Sequence, residues 1–149
     1  MKPSESLGRL FCVVGESLLL YLGDSSLWSH PGNEKLKESL SDLVAVNRSL
    51  LSRIASAMAT SEGTPQVLEY PIRFTATHDL DVEFLSGVVA SDFRARSETC
   101  SELLRLCHAD DQSDALVSSL LQEVRDSTLE YAVQLEQLRR GIHPLSAAE

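Results

Sequence analysis

Leu36, Leu40, Leu43, Asn47, Leu50, Ile54 and Ala57 recur at alternating steps of four and three, the period of one buried helix face. They predict a long helix over residues 34–61, with Asn33 as N-cap and Gly63 supplying the left-handed residue that ends it. Val117, Leu121, Val124, Thr128, Tyr131, Leu135 and Leu138 repeat the same steps. They predict a second long helix, capped by Asp111 or Ser113, running to about residue 140. Arg139 and Arg140 suit its last turn, and Gly141 follows it. Leu7, Phe11, Val14, Leu18 and Tyr21 predict a helix over residues 6–22, ended by Gly23-Asp24-Ser25-Ser26. A further helix is predicted from about residue 78 to 107, with Thr77 capping and Asp79 and Asp81 in its first turn.

That last helix has two possible registers. Leu85, Val88, Asp92, Ala95 and Thr99 would point Asp92 inward. Val82, Val89, Phe93, Cys100, Leu103 and Cys107 turn it to the flank, and this second register is favoured. Short connections join the first two and the last two helices. Residues 63–77 form a long middle connection with two prolines and no helical period. Fully extended it could cover about 50 Å, against about 42 Å for the preceding helix. It can therefore return along that helix, and Val67, Leu68, Tyr70, Ile72 and Phe74 are expected to pack it on the bundle. The expected fold is all-α: a four-helix bundle of two antiparallel hairpins joined by a crossover, the ferritin-like arrangement.

Composition adds bounds. The 149 residues suit one domain, 1–149, with 142–149 expected to be a frayed tail. A net charge of -9 argues against a general nucleic-acid surface. Cys12, Cys100 and Cys107 include no C-x-x-C pair. One helix would hold the last two about 10 Å apart, too far for a bridge, so they read as core thiols in a reducing compartment. The apolar stretch at residues 7–23 is interrupted by Arg9 and Glu16 and falls short of a membrane span. A cytoplasmic location without membrane attachment is expected. Its apolar character nearly all round also predicts a homodimer that covers it.

The segments "VVGESLLLYL", "LEYPIRFTATHDLDVEFL" and "LEYAVQLEQL" resemble the ferritin-like superfamily. More closely, they resemble a poorly characterised bacterial group with a Tyr-Pro…Phe-Thr…His-Asp-Leu crossover. The resemblance implies a place for a di-iron centre: one Glu from each of helices 1 and 3, and a Glu-x-x-His pair from each of helices 2 and 4. Carried over, Glu16 takes the helix 1 position and Asp92 is the nearest acid on helix 3. Asn47 and Leu50 stand at the helix 2 pair, Thr128 and Tyr131 at the helix 4 pair. Neither Glu-x-x-His pair is present. His30, His78, His108 and His143 fall in connections or at helix ends. These six positions are therefore expected to be a vestigial site, with no catalytic residue, metal or cofactor.

Asn47 reads first as a buried amide fixing register, and Tyr131 as core with its hydroxyl paired. Glu16 is read as solvent-facing or locally paired. Arg48, Arg53, Arg94, Arg96 and Arg105 read as solvated helix faces. The functional expectation is a non-catalytic structural or interaction module. Its competitors are a divergent metal enzyme using Glu16 and Asp92, and a small-molecule binder lined by Asn47, Thr128 and Tyr131.

Overall fold

The computed structural model describes residues 1–23, 29, 31–61, 67–77, 80–109 and 114–142. Among these the chain is helical and without strands: α1 (Pro3–Gly15), α2 (Leu18–Leu22), α3 (Glu34–Thr60), a 3-10 helix (Ile72–Thr77), α4 (Val82–His108) and α5 (Ala115–Ile142).

The single helix expected over residues 6–22 is broken at Glu16 and Ser17. Ser17 adopts an extended conformation, φ -78° and ψ 152°, and caps α2. Its hydroxyl donates to the Val14 carbonyl at 2.8 Å and accepts from the Leu20 amide at 3.4 Å. A serine side chain that satisfies backbone groups on both sides offers the chain an alternative to continuous helix. Apolar periodicity carries no record of that competition.

The other helix ends also depart from expectation in their chemistry. Residues 72–77 close into a 3-10 turn in which Thr77 donates to the Phe74 carbonyl, so Thr77 does not cap α4. Asp81 does, accepting from the Phe84 amide at 2.9 Å. Asn33 holds the N-cap position of α3 but makes no side-chain cap bond; the Glu34 carboxylate instead accepts from Gly32 N–H. Asp114 accepts from the amides of Leu116 and Val117 at the start of α5. Helix α5 runs through Gly141 to Ile142 rather than stopping before Gly141. Gly63, His78, Asp79, Asp111, Ser113 and residues 143–149 lie outside the described residues.

Helices α4 and α5 run antiparallel: Gly87 meets Arg139 near one end, and Ser97 donates to the Arg125 carbonyl nearer the other. Across the first hairpin, Gly23 approaches Val44, while Leu7 and Leu10 share a cluster with Ile54 and Met58. The crossover packs in part as expected. Phe74 is buried and Leu68 half-buried, but Val67 and Ile72 are 85% and 87% exposed. Tyr21 stacks edge-on to Tyr70, centroids 5.3 Å apart, and lies 5.5 Å from Phe74. Leu68 closes over Gly15 so tightly that a Cβ there would lie 2.6 Å from Leu68 Cδ1.

The core divides in two. One apolar cluster holds Leu18, Leu36, Leu40, Phe74, Val89, Phe93 and Leu135 with their neighbours. The second holds Leu7, Val14, Ile54, Cys100, Cys107, Leu121 and Val124 with theirs. Each helical strand of the core crosses between them at a polar point. For α1 and α2 it is the break at Glu16 and Ser17; for α3, Asn47; for α4, Arg96 and Ser97; for α5, Thr128. No helix of the described residues is long and apolar enough to cross a membrane.

Candidate functional site

At this level Asn47, Arg96, Ser97 and Thr128 are all buried. Arg96 is only 4% exposed, so the expectation that it lies on a solvated face is corrected. It sits one step after Phe93 and one before Cys100 on the buried face of α4, the same face that carries Val89, Leu103 and Cys107. Between Phe93 and Cys100 that face turns Arg96 and Ser97 inward, and both side chains are buried.

Two contacts hold the guanidinium. Its Nη1 donates to Asn47 Oδ1 at 2.5 Å. Asn47 in turn donates through Nδ2 to the Leu43 carbonyl at 2.8 Å, fixing which way its amide faces. The Arg96 Cζ lies 5.0 Å from the centre of the Phe93 ring, a cation–π contact. Phe93 is itself 6.2 Å from the Tyr131 ring. Desolvation pulls the guanidinium down to about 10, with Cys100 and Asp92 acting in the opposite direction. It stays charged at neutral pH. The nearby Cys100 thiol is pushed up to about 11 by burial, against the pull of Arg96 and Arg125, so it is a neutral thiol there.

A cavity of about 240 Å³ opens on this group, lined by Asn47, Leu50, Arg96, Thr128 and Tyr131 among others. Four of the six positions singled out in the sequence, Asn47, Leu50, Thr128 and Tyr131, therefore meet around one space. Glu16 and Asp92 do not join them. Glu16 ends α1, where its N–H donates to the Cys12 carbonyl at 2.9 Å. Cys12 is raised by burial first, then by its hydrogen bond to Glu16 and that carboxylate's charge. Asp92 is exposed as a whole residue, which agrees with the flank register. Desolvation nevertheless holds its carboxyl above the ordinary aspartate value, against the attraction of Arg96 and then Arg73.

At the cavity's rim Arg53 grips Glu123 through two bonds of 3.0 and 2.7 Å. This pair is half exposed and holds the Glu123 carboxylate below its usual range. A larger open groove of about 1100 Å³ lies where α3 and α4 begin, bordered by Asn33, Leu36, Glu83, Gln137 and Leu138. It has no buried charge, so it offers a ligand less to recognise despite its size. Among the described residues no three His, Cys, Asp or Glu side chains gather as a metal-ion site. His30, His78 and His143 lie outside those residues, and His108 is exposed at the end of α4.

Arg96 is the residue that sequence reading missed, yet its signal was present. Phe93 and Cys100 are seven apart, and a seam of alternating three- and four-residue steps through both passes through residue 96 or 97. No family model, curated protein or solved structure matches the chain.

Proposed function

We propose that this chain is a non-catalytic four-helix bundle, with the two-hairpin order of the ferritin-like superfamily, in which a guanidinium stands at the level where active relatives would hold a metal pair. Its role in this reading is that of a structural or interaction module without a di-iron centre. The observation that carries it is the burial of Arg96 against Asn47 and Phe93. A fixed positive charge repels a divalent cation, no imidazole lines the cavity, and its one carboxylate, Glu123, is already bound by Arg53. Glu16 and Asp92, the acids a divergent metal enzyme would use, are not among the residues around the cavity.

The test is metal analysis of protein produced with added iron or manganese. Less than one-tenth of an ion per chain is expected. Stoichiometric metal that resists dialysis overturns the reading.

The homodimer expected from the sequence remains part of this reading, as cover for the half-buried Phe11, Cys12 and Val13 of α1. Leu18, Leu19, Leu20 and Leu22 are all buried within one chain, partly because the crossover lays Leu68, Tyr70 and Phe74 over the broken first helix. Light scattering decides the oligomeric state independently of the metal question.

One observation favours a second reading, a small-molecule-binding bundle. The Asn47, Thr128 and Tyr131 positions line an actual cavity rather than closing on one another. Pocket, polar anchor and apolar wall are the ordinary parts of a ligand site.

A further inference from the structure

We propose that the Arg96 cavity binds a small carboxylate, whose oxygens meet the guanidinium while its short apolar body rests among Leu50, Val124 and the Tyr131 ring. The inference rests on the second reading above and gives it a ligand class.

The argument starts from an incomplete set of partners. A guanidinium carries five N–H donors in a planar fork that matches a carboxylate edge. Among the described residues Arg96 uses its fork for one hydrogen bond, to a neutral amide. Its π contact with Phe93 occupies a face of the group, not the remaining donors. Thr128 is 2% exposed, and among the described residues its hydroxyl has no hydrogen-bond partner; the Tyr131 hydroxyl has none there either. Among the described residues, no fully enclosed side-chain nitrogen or oxygen lacks a partner. The unused donors of Arg96, and the hydroxyls of Thr128 and Tyr131, are therefore not fully enclosed, and all three residues line the cavity.

The charges around the space allow an anion to enter. Glu123 borders the cavity, but Arg53 already neutralises it with two hydrogen bonds. Asp92 lies one helical turn before Arg96 and attracts it through space, but Asp92 does not line the cavity. Among the described residues no carboxylate occupies the fork. Charge-assisted, two-pronged bonds to guanidinium are the strongest hydrogen bonds such a site can offer. The wall of Leu50 and Val124 favours a short organic acid over a fully hydrated inorganic ion, and about 240 Å³ limits it to a few carbons.

Butyrate is the probe, with 1-butanol as its neutral counterpart and inorganic phosphate as the alternative oxyanion. Binding is read by calorimetry and by the thermal midpoint at constant ionic strength. Butyrate is expected to raise the midpoint in a saturable manner, with butanol and phosphate at least tenfold weaker. Arg96→Met should remove the response while keeping helical circular dichroism. Thr128→Val keeps shape and burial, and should weaken butyrate about tenfold, a hydrogen bond's share. It serves where Arg96→Met does not fold. No saturable butyrate response, phosphate binding as tightly as butyrate, or unchanged binding in both variants overturns the inference. Metal content is measured on the same sample. Bound metal overturns the proposed function whatever butyrate does, whereas absent butyrate binding overturns only this inference.

Discussion

On the Tyr21 side of Asn47 the core is filled by leucine, valine and phenylalanine, with few polar groups. On its cysteine side the same is true, apart from a 3.0 Å contact between Ser6 Oγ and Cys107 Sγ. Between these ends lies a layer containing an amide, a guanidinium and two hydroxyl side chains. The ends are stabilised by area removed from water and by close packing, which are additive and tolerant of chemistry. The middle depends on a single geometry, because Asn47, Arg96 and Ser97 each meet one particular partner. The difference teaches that one helix can serve two kinds of core: α4 passes from Phe93 to Arg96 to Cys100 without changing its backbone.

Breaking either end should have the largest effect. Leu36→Ala on one side and Leu121→Ala on the other remove fully buried side chains. Each should cost about 3–5 kcal/mol in urea unfolding. A loss below about 1 kcal/mol at either position would mean that the surrounding core is already loose.

Next comes the middle. Asn47→Leu leaves the guanidinium without its acceptor and should cost about 2–3 kcal/mol. If it costs nothing, the Asn47–Arg96 bond is not holding the layer together. Adding Arg96→Met to it sharpens the contrast. The double variant should return to within about 1 kcal/mol of the parent or exceed it, since apolar residues often replace buried charge without loss. A double variant worse than the sum of the singles would show that the polar layer contributes stability beyond its own internal satisfaction.

The smallest effect belongs to the rim. A double-mutant cycle on Arg53 and Glu123 should give only a few tenths of a kcal/mol, because the pair is half exposed. Its sign with pH follows from the lowered Glu123 carboxyl. The coupling is fully present above the ordinary glutamate value and is lost as pH falls through the folded-state value. Coupling that instead grew on acidification would contradict the assigned partner.

Much of this contrast was legible beforehand. Asn47 and Thr128 interrupt otherwise apolar seams, and regular spacing alone places them inward. The favoured register of α4 likewise put Asp92 outside. Arg96 is harder to read because residue type and position disagree there: arginine is seldom buried, whereas the spacing from Phe93 to Cys100 allows an inward position at residue 96. The break at Ser17 was illegible for another reason. Leu18 and Tyr21 continue the apolar repeat whether or not the backbone does, and only the side chain's bonds to Val14 and Leu20 reveal the stop. The crossover's exposure of Val67 and Ile72 shows the limit of inferring burial from apolar character alone.

The cysteines give the molecule a built-in gauge. Cys12 is partly open to solvent, whereas Cys100 and Cys107 are sealed. An alkylating reagent should therefore modify Cys12 from the native state, slowed by its raised thiol. The other two should react only when that half of the protein comes apart. Counting labels by mass over time would then clock local opening without any added dye.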